Sequence, residues 1–434
     1  MVEYSNKVIY KNSMLSFFYK VASMALSFIS SPLLLACLGE EKYGIWATLG
    51  SIISWIYYSD LGIGSGLRNK LSQSLGKKDM KAAKGYIAVS YTLLTIISIV
   101  LFLAFLIALV FIDIPTLLNI KITDENVNVC LIAALFLSCV NFVLSLVNNL
   151  AYAEQRASLV SFFNLVGQAL FVGTIFIFYK TGIDFILFVA VGEGICQAIK
   201  NVLETLYIIK KYPELISKPF DYDKKYTKGI LSFGILVFIS QISSLIHNTT
   251  DNILISHLFS AADVTPYNFC FKYFNLINNI YLVLLSPLVS AYTIAKSQDN
   301  STWIRNAMKK SMILFILFAT GTCIAIFVFR PFADIWLGKK LYYSNGLIVY
   351  TALYFILLML SHITTSLQTG LSDLNMATIA VAIGAILNIP ASIFFARNMS
   401  LGVSGIVLGS AFSMVPVVMV GLYKYIYYLR VMKK

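Results

Sequence analysis

YIAVSYTLLTIISIVLFLAFLIALVF, residues 86–111, carries no charged side chain from end to end. A bilayer is crossed by about 20 apolar residues in a helix, so this stretch is long enough to span one. Similar runs recur at 12–36, 44–66, 128–152, 158–179, 185–209, 229–258, 264–291, 307–329, 343–368, 374–396 and 403–429, about twelve in all. They fill nearly the whole chain.

Composition says the same. Of 434 residues, 59% are hydrophobic and 12% charged, with a mean hydropathy of +0.80. Soluble domains are about a quarter charged and under half apolar, so a soluble globular fold is excluded, and so is disorder. Barrel strands alternate over about 10 residues rather than running unbroken. The sequence therefore predicts an all-α polytopic membrane protein. The first span is too long for a signal-peptide core and has no small-residue cleavage site after it, so it is expected to stay in place.

The basic residues orient the chain. With the N-terminus in the cytoplasm, the inner loops receive about 23 Lys and Arg against about 7 outside, a strong positive-inside bias. The bias puts both termini in the cytoplasm and accounts for the net charge of +13 beside anionic headgroups, without any nucleic-acid partner. The charged loop KKYPELISKPFDYDKKYTK, residues 210–228, separates two sets of about six spans, which suggests a parallel internal repeat. The expected organisation is an N-terminal bundle at 1–210, a cytoplasmic linker at 211–228 and a C-terminal bundle at 229–434. Loops are also expected at 67–85, 112–127 and 330–342.

Polar residues inside the spans form seams at helical spacing. Span one carries Asn12, Ser16, Lys20, Ser23, Ser27 and Ser30; span six carries Glu193, Gln197, Lys200 and Glu204. Span seven carries Gln241, Ser244, Asn248 and Asp251 with His247 beside them, and span eight carries Asn268, Lys272, Asn275 and Asn279. Two readings fit. Small polar residues serve helix packing, and Asp251 and Lys272 sit at matching depth for a structural ion pair. The number of charges favours a water-filled cavity, because packing needs far fewer and charge in hydrocarbon is costly. Lys20, Lys200 and Lys272, at staggered depth, would offer point charges to a phosphate, with Asn248, Asn275 and Asn279 beside them. Glu193, Glu204 and Asp251 are candidates for ion coupling or charge pairing. Pro32, Pro287, Pro390 and Pro416 interrupt spans as kinks or hinges.

Enzyme chemistry has no candidate centre. No phosphate-binding G-x-x-x-x-G-K-[ST] occurs. His247, His257 and His362 lack metal-ligand spacing, and Cys37, Cys130, Cys139, Cys196, Cys270 and Cys323 form no C-x-x-C pair. No metal or cofactor is expected. The glycines of DLGIGSGLRNKL, residues 60–71, follow a helix rather than a strand, and there they allow unwinding or close packing, with Asp60 and Arg68 at the interface.

That motif, preceded by LGEEKYGIWATLGSIISW at 38–55, resembles the polysaccharide flippase (O-antigen transporter) family. Its members typically show an outer-turn L-G-x-x-x-Y-G-x-W/Y, then D-x-G-x-G-x-x-x-R/N near the end of the second span. TDNILISHLFSAADVTPYNFCFKYF at 250–274 and S-P-L at 286–288 resemble the start of that family's second half. The resemblance implies a two-bundle exporter of the MOP superfamily in a bacterial inner membrane. It implies that a polyprenyl-pyrophosphate-linked oligosaccharide is turned to the outer leaflet by alternating access through a cationic central cavity. Asp60, Gly62, Gly64 and Arg68 would form a gate motif. The implied partners are the lipid-linked glycan, membrane lipids, a glycan polymerase and other assembly proteins, and a coupling H+ or Na+. Multidrug or lipid II export is the alternative within transport, and a membrane glycan polymerase the alternative outside it.

Overall fold

The computed structural model describes residues 6–120, 126–215, 223–371, 373 and 375–432. Within the helices it leaves out the side chains of residues 6–11, 13, 231–244, 246–248, 286, 287 and 290. Among the described residues every regular element is helical. The chain divides into two compact units, residues 1–242 and 243–434.

The first unit begins with α1 (Asn6–Tyr58), α2 (Ile63–Gly76), α3 (Met80–Phe111) and a single turn, α4 (Ile114–Leu117). There follow α5 (Val127–Leu144), α6 (Leu146–Ala153), α7 (Ala157–Thr181), α8 (Ile186–Lys211) and the start of α9 (Lys224–Leu258). At about 1.5 Å per residue α1 would run about 80 Å, far more than one bilayer. It is broken at Gly39, whose φ of 74° and ψ of 179° lie outside helical space. The turn expected around LGEEKYG is thus a one-residue break. α1 packs along α7, and α5 lies between α3 and α8.

The second unit contains the rest of α9, then α10 (Ala261–Ser297), α11 (Ser301–Leu337), α12 (Asn345–Gly370) and α13 (Asn375–Ile393). α13 carries Pro390 and ends in a π-helical turn at Phe394–Asn398. α14 (Val403–Ser413) and α15 (Val415–Val431) close the chain. Its core is built from Tyr281, Leu285, Tyr292, Met308, Met359 and Tyr425, whose hydroxyl donates to the Met308 carbonyl at 2.7 Å. Gly405 and Gly409, one turn apart on α14, take α13 at backbone distance. A Cβ at Gly409 would fall 2.3 Å from the backbone of Ser392, and one at Gly405 2.5 Å from that of Ala396. Small residues at this spacing let membrane helices close on each other, where hydrocarbon gives no hydrophobic drive.

Nine helical stretches among the described residues are long and apolar enough to cross a membrane. Their outward faces are apolar too: Phe327 and Ile335 are each 84% exposed. Soluble monomers do not display such surface on every side. This is a multi-pass membrane protein.

Two expected loops are helix instead. Residues 67–85 hold α2 and the start of α3, joined by a short turn with Lys78 at φ 57°. Residues 330–342 are largely the end of α11, which runs through Pro331 to Leu337. Arg330 stays useful there, its guanidinium donating to the Tyr343 carbonyl and to Asn345 Oδ1. Of the four prolines, Pro32 and Pro390 lie within helices and Pro416 starts α15. The side chain of Pro287 lies outside the described residues.

The turn between α12 and α13 is tied to α15. Asp373 Oδ2 accepts from Lys424 Nζ and from the Tyr428 hydroxyl, both at 2.7 Å, and Lys296 donates to the Leu371 carbonyl. The Lys424 bond, then that of Tyr428, holds the Asp373 carboxyl below the usual carboxylate range. A depressed carboxyl stabilises the fold above its unfolded pKa, and that contribution fades as pH falls through the folded value. Protection factors at this turn, which allow for the intrinsic slowing of exchange in acid, should therefore fall at pH below the normal carboxylate range, and Asp373→Asn should remove that acid dependence; an unchanged profile contradicts the tie.

Substitution at Gly409 tests the packing. Overpacking costs about 1–3 kcal/mol, so Gly409→Val should lower the melting temperature in detergent. Gly50→Ala, with no neighbour within 4 Å of the added Cβ, should leave it unchanged.

Candidate functional site

The seam on α8 splits into two environments. Glu193 and Gln197 line a cavity of about 180 Å³ together with Trp46, Ser54, Tyr57 and Asn141. Asn141 donates to the Gly194 carbonyl at 2.9 Å, and Asn201 donates to Asn141 Oδ1 at 3.1 Å. A chain of amides thus leads from the cavity wall into the bundle. Deeper along α8, Lys200 and Glu204 are buried, and the Lys200 ammonium donates to Asn164 Oδ1 on α7 at 3.1 Å.

The seam of α1 bonds partly to α7 and partly to its own helix. Ser16 is hydrogen-bonded to Ser161 of α7 at 2.7 Å, and Asn12 accepts from Ser158 at 2.9 Å. Ser23 and Ser30 bond back to carbonyls of their own helix. Lys20 remains exposed on this helix.

In the second unit Asp251 is the centre of a buried network. Its Oδ1 accepts from Ser410 at 2.8 Å and its Oδ2 from the Tyr267 hydroxyl at 3.1 Å. Asn388 donates to Ser410 and Ser413 and accepts from Thr250 at 3.1 Å. The anion is thus held by hydroxyls of α10 and α14, not by the Lys272 ammonium that matching depth would pair with it. Lys272, Asn275 and Asn279 are half-buried on α10, and Asn268 donates to Asn252 at 3.0 Å. The side chains of Gln241, Ser244, His247 and Asn248 lie outside the described residues.

The glycine motif builds a tight helix start. Asp60 accepts from the backbone N–H of Gly62 at 2.8 Å and of Gly64 at 3.1 Å, capping α2. Gly62 sits at φ 73°, a conformation that glycine adopts freely. A Cβ at Gly64 would lie 2.7 Å from Asn149, and one at Gly66 2.5 Å from the Ile230 carbonyl oxygen. Arg68 is exposed and lies over the Tyr152 ring at 4.9 Å. A little further on, Arg156 covers Tyr212 at 5.7 Å beside the buried Glu154. Burial pushes the Glu154 carboxyl up, against the pull of Tyr212 and Arg156. The motif therefore assembles one end of the first unit.

Sequence reading passed over Asn141, Asn164, Asn201, Tyr267, Asn388 and Ser410. The sequence does carry a signal for several of them: Asn141 lies with Ser138, Ser145 and Asn148 at spacings of 3, 4 and 3, Asn164 lies between Ser161 and Gln168, and Asn201 lies between Gln197 and Glu204. Among the described residues no group of three His, Cys, Asp or Glu is placed to hold a metal.

Residues 9–293 match the family model described as polysaccharide biosynthesis protein. The chain is 25% identical over 422 residues to a Salmonella typhimurium protein named for O-antigen transport, covering 94% of each chain. It is 24% identical over 348 residues to a Yersinia pseudotuberculosis protein named for O-antigen export, covering 77% of each. The fold is similar to that of an inward-facing multidrug resistance MATE transporter of the MOP superfamily, with a TM-score of 0.77, 15% identity and 97% and 99% of the two chains covered. A MOP superfamily transporter from Pyrococcus furiosus aligns with a TM-score of 0.67 at 15% identity, over 99% and 96% of the two chains. The chain accordingly belongs to the polysaccharide biosynthesis protein family, and its fold is that of the MATE-type transporters it is similar to.

Proposed function

We propose that this protein is a flippase, not an enzyme, that carries a polyprenyl-pyrophosphate-linked oligosaccharide from the cytoplasmic to the outer leaflet of a bacterial inner membrane. The observation that carries the reading is the near full-length similarity to a protein named for O-antigen transport. The fold agrees with it: similar MATE transporters are seen both inward-facing and outward-facing, the two states that alternating access requires. The chain crosses the membrane about twelve times in this reading, as bundles at 1–210 and 229–434 joined by 211–228, with both termini cytoplasmic.

The cargo is a diphosphate with a glycan on one side and a long apolar tail on the other. Its headgroup needs cations and amides in a wet path, while its tail stays in lipid. Within the first unit exposed Lys20 is a point charge for phosphate; within the second, half-buried Lys272 is another, with the Asn275 and Asn279 amides on the same helix for sugar hydroxyls. Lys200 acts from inside the bundle. Asp251, held by two hydroxyls, is suited to take up and release a coupling H+ or Na+.

The second reading, export of cationic drugs, is favoured by one observation: Glu193 and the aromatic Trp46 and Tyr57 share the cavity of the first unit. Carboxylate and aromatic faces are how cations are held.

Complementation separates the two. In a strain lacking the gene, lipid-linked glycan should collect on the cytoplasmic leaflet. Lys20→Ala and Lys272→Ala should each cut surface glycan about tenfold, the worth of one charge-assisted contact, with the protein still in the membrane. Normal surface glycan in both variants, with altered drug tolerance, would favour the drug reading. Asp251→Asn should leave the protein folded and abolish the response of transport to an imposed ion gradient; a retained response would free Asp251 from coupling.

A further inference from the structure

Glu204 is 0% exposed, and neither of its carboxylate oxygens accepts a hydrogen bond from the protein. Four residues before it on the same face of α8 stands Lys200, 4% exposed. A Glu and a Lys at this spacing are within reach of each other. Here the ammonium turns instead to Asn164 Oδ1 on α7. Gly167 makes room for that rotamer: a Cβ there would sit 3.2–3.4 Å from the Lys200 Cβ, Cγ and Cδ.

A buried carboxylate with neither donor nor counter-charge in contact is expensive, and taking up a proton removes the cost. The elements packed against α8 include α1, α5, α6 and α7. The titratable groups within electrostatic reach of Glu204 are Lys200 on its own helix, Tyr152 of α6 and Tyr91 of α3. Arg68 lies on the Tyr152 ring. Lys200 is therefore the cation that can answer a charge on Glu204.

We propose that Glu204 is a proton-binding site and that Lys200 is its switch arm. With the proton bound, the carboxyl is neutral, the ammonium rests on Asn164, and the pair carries one positive charge. When the proton leaves to water, the carboxylate draws the ammonium along the helix from Asn164, and the pair becomes neutral. Gln197, one turn before Lys200, lines the cavity, and Asn201 is bonded to the cavity residue Asn141. The protonation state thus sets the charge felt by cargo in that cavity: the protonated form attracts an anion and the deprotonated form lets it go. Use of the switch in moving a diphosphate rests on the flippase reading; the proton site itself does not.

The test uses the purified full-length protein in lipid nanodiscs with dicyclohexylcarbodiimide, which adds to protonated carboxyl groups in apolar surroundings. Mass spectrometry should find the adduct on Glu204 at neutral pH and lose it as pH rises. Infrared spectra should show a protonated-carboxyl band that Glu204→Gln removes. In Lys200→Met the pH of half-labelling should move up by about one unit or more, because the counter-charge is gone. If Glu204→Gln fails to accumulate, the adduct and its pH dependence in the wild-type protein decide alone. A Glu204 already ionised at neutral pH, with no adduct and no such band, overturns the proposal, as does an unchanged midpoint in Lys200→Met. These readouts do not involve glycan, so failure of the flippase reading would leave them standing.

Discussion

Hydrocarbon offers no hydrogen-bond partner, and the rest of this structure follows from that constraint. Every backbone group in the membrane must be satisfied within its own helix, which is why the described residues form helices with short joints. Where a joint is needed, it is made at little cost: one glycine at Gly39, a π-helical turn after Pro390, a capped start at Asp60. The same constraint makes each buried polar side chain informative. Asp251 is expensive to keep and accepts from two hydroxyls, of which Ser410 is itself bonded by the Asn388 amide. Glu204 is expensive to keep and has no such shell.

Packing between helices obeys the same solvent. Apolar side chains on the outside, such as Phe327 and Ile335, gain nothing by leaving lipid for protein. Close approach must come from small residues, and it does so at Gly405 and Gly409 against Ser392 and Ala396. Aromatic side chains then fill the second unit around Tyr281 and Tyr292, with Tyr425 tying α15 to α11 through the Met308 carbonyl.

The helices were legible because apolar runs such as 86–111 admit only one structure in a bilayer. α2 was not: NKLSQSLGKK reads as a polar loop, and only its contacts with Asn149 and Ile230 and its cap at Asp60 reveal a helix. The end of α11 falls in 330–342, which reads as a loop in sequence although the helix runs through Pro331. Seams of charge were also legible, but not what each does. The polar stripe of α1 reads as wet in sequence, yet Ser16 and Asn12 bond to α7 and Ser23 and Ser30 bond back to their own helix. On α8 four evenly spaced polar residues divide between a cavity and the bundle interior. Periodicity says which residues share a face; it does not say what lies opposite. The partners of Asn141, Asn164 and Asn388 show only in the structure.

Charged residues buried deep in apolar helices and near full-length similarity to a protein named for O-antigen transport fit the proposal that this chain moves a lipid-linked glycan through the membrane. The direct measurement is the leaflet position of a polyprenyl-pyrophosphate-linked glycan in sealed vesicles containing only this purified protein, read by a lectin that reaches the outer surface alone. The account predicts that protein-containing vesicles expose glycan initially confined to the inner leaflet, while protein-free vesicles do not. Equal exposure in both would contradict it.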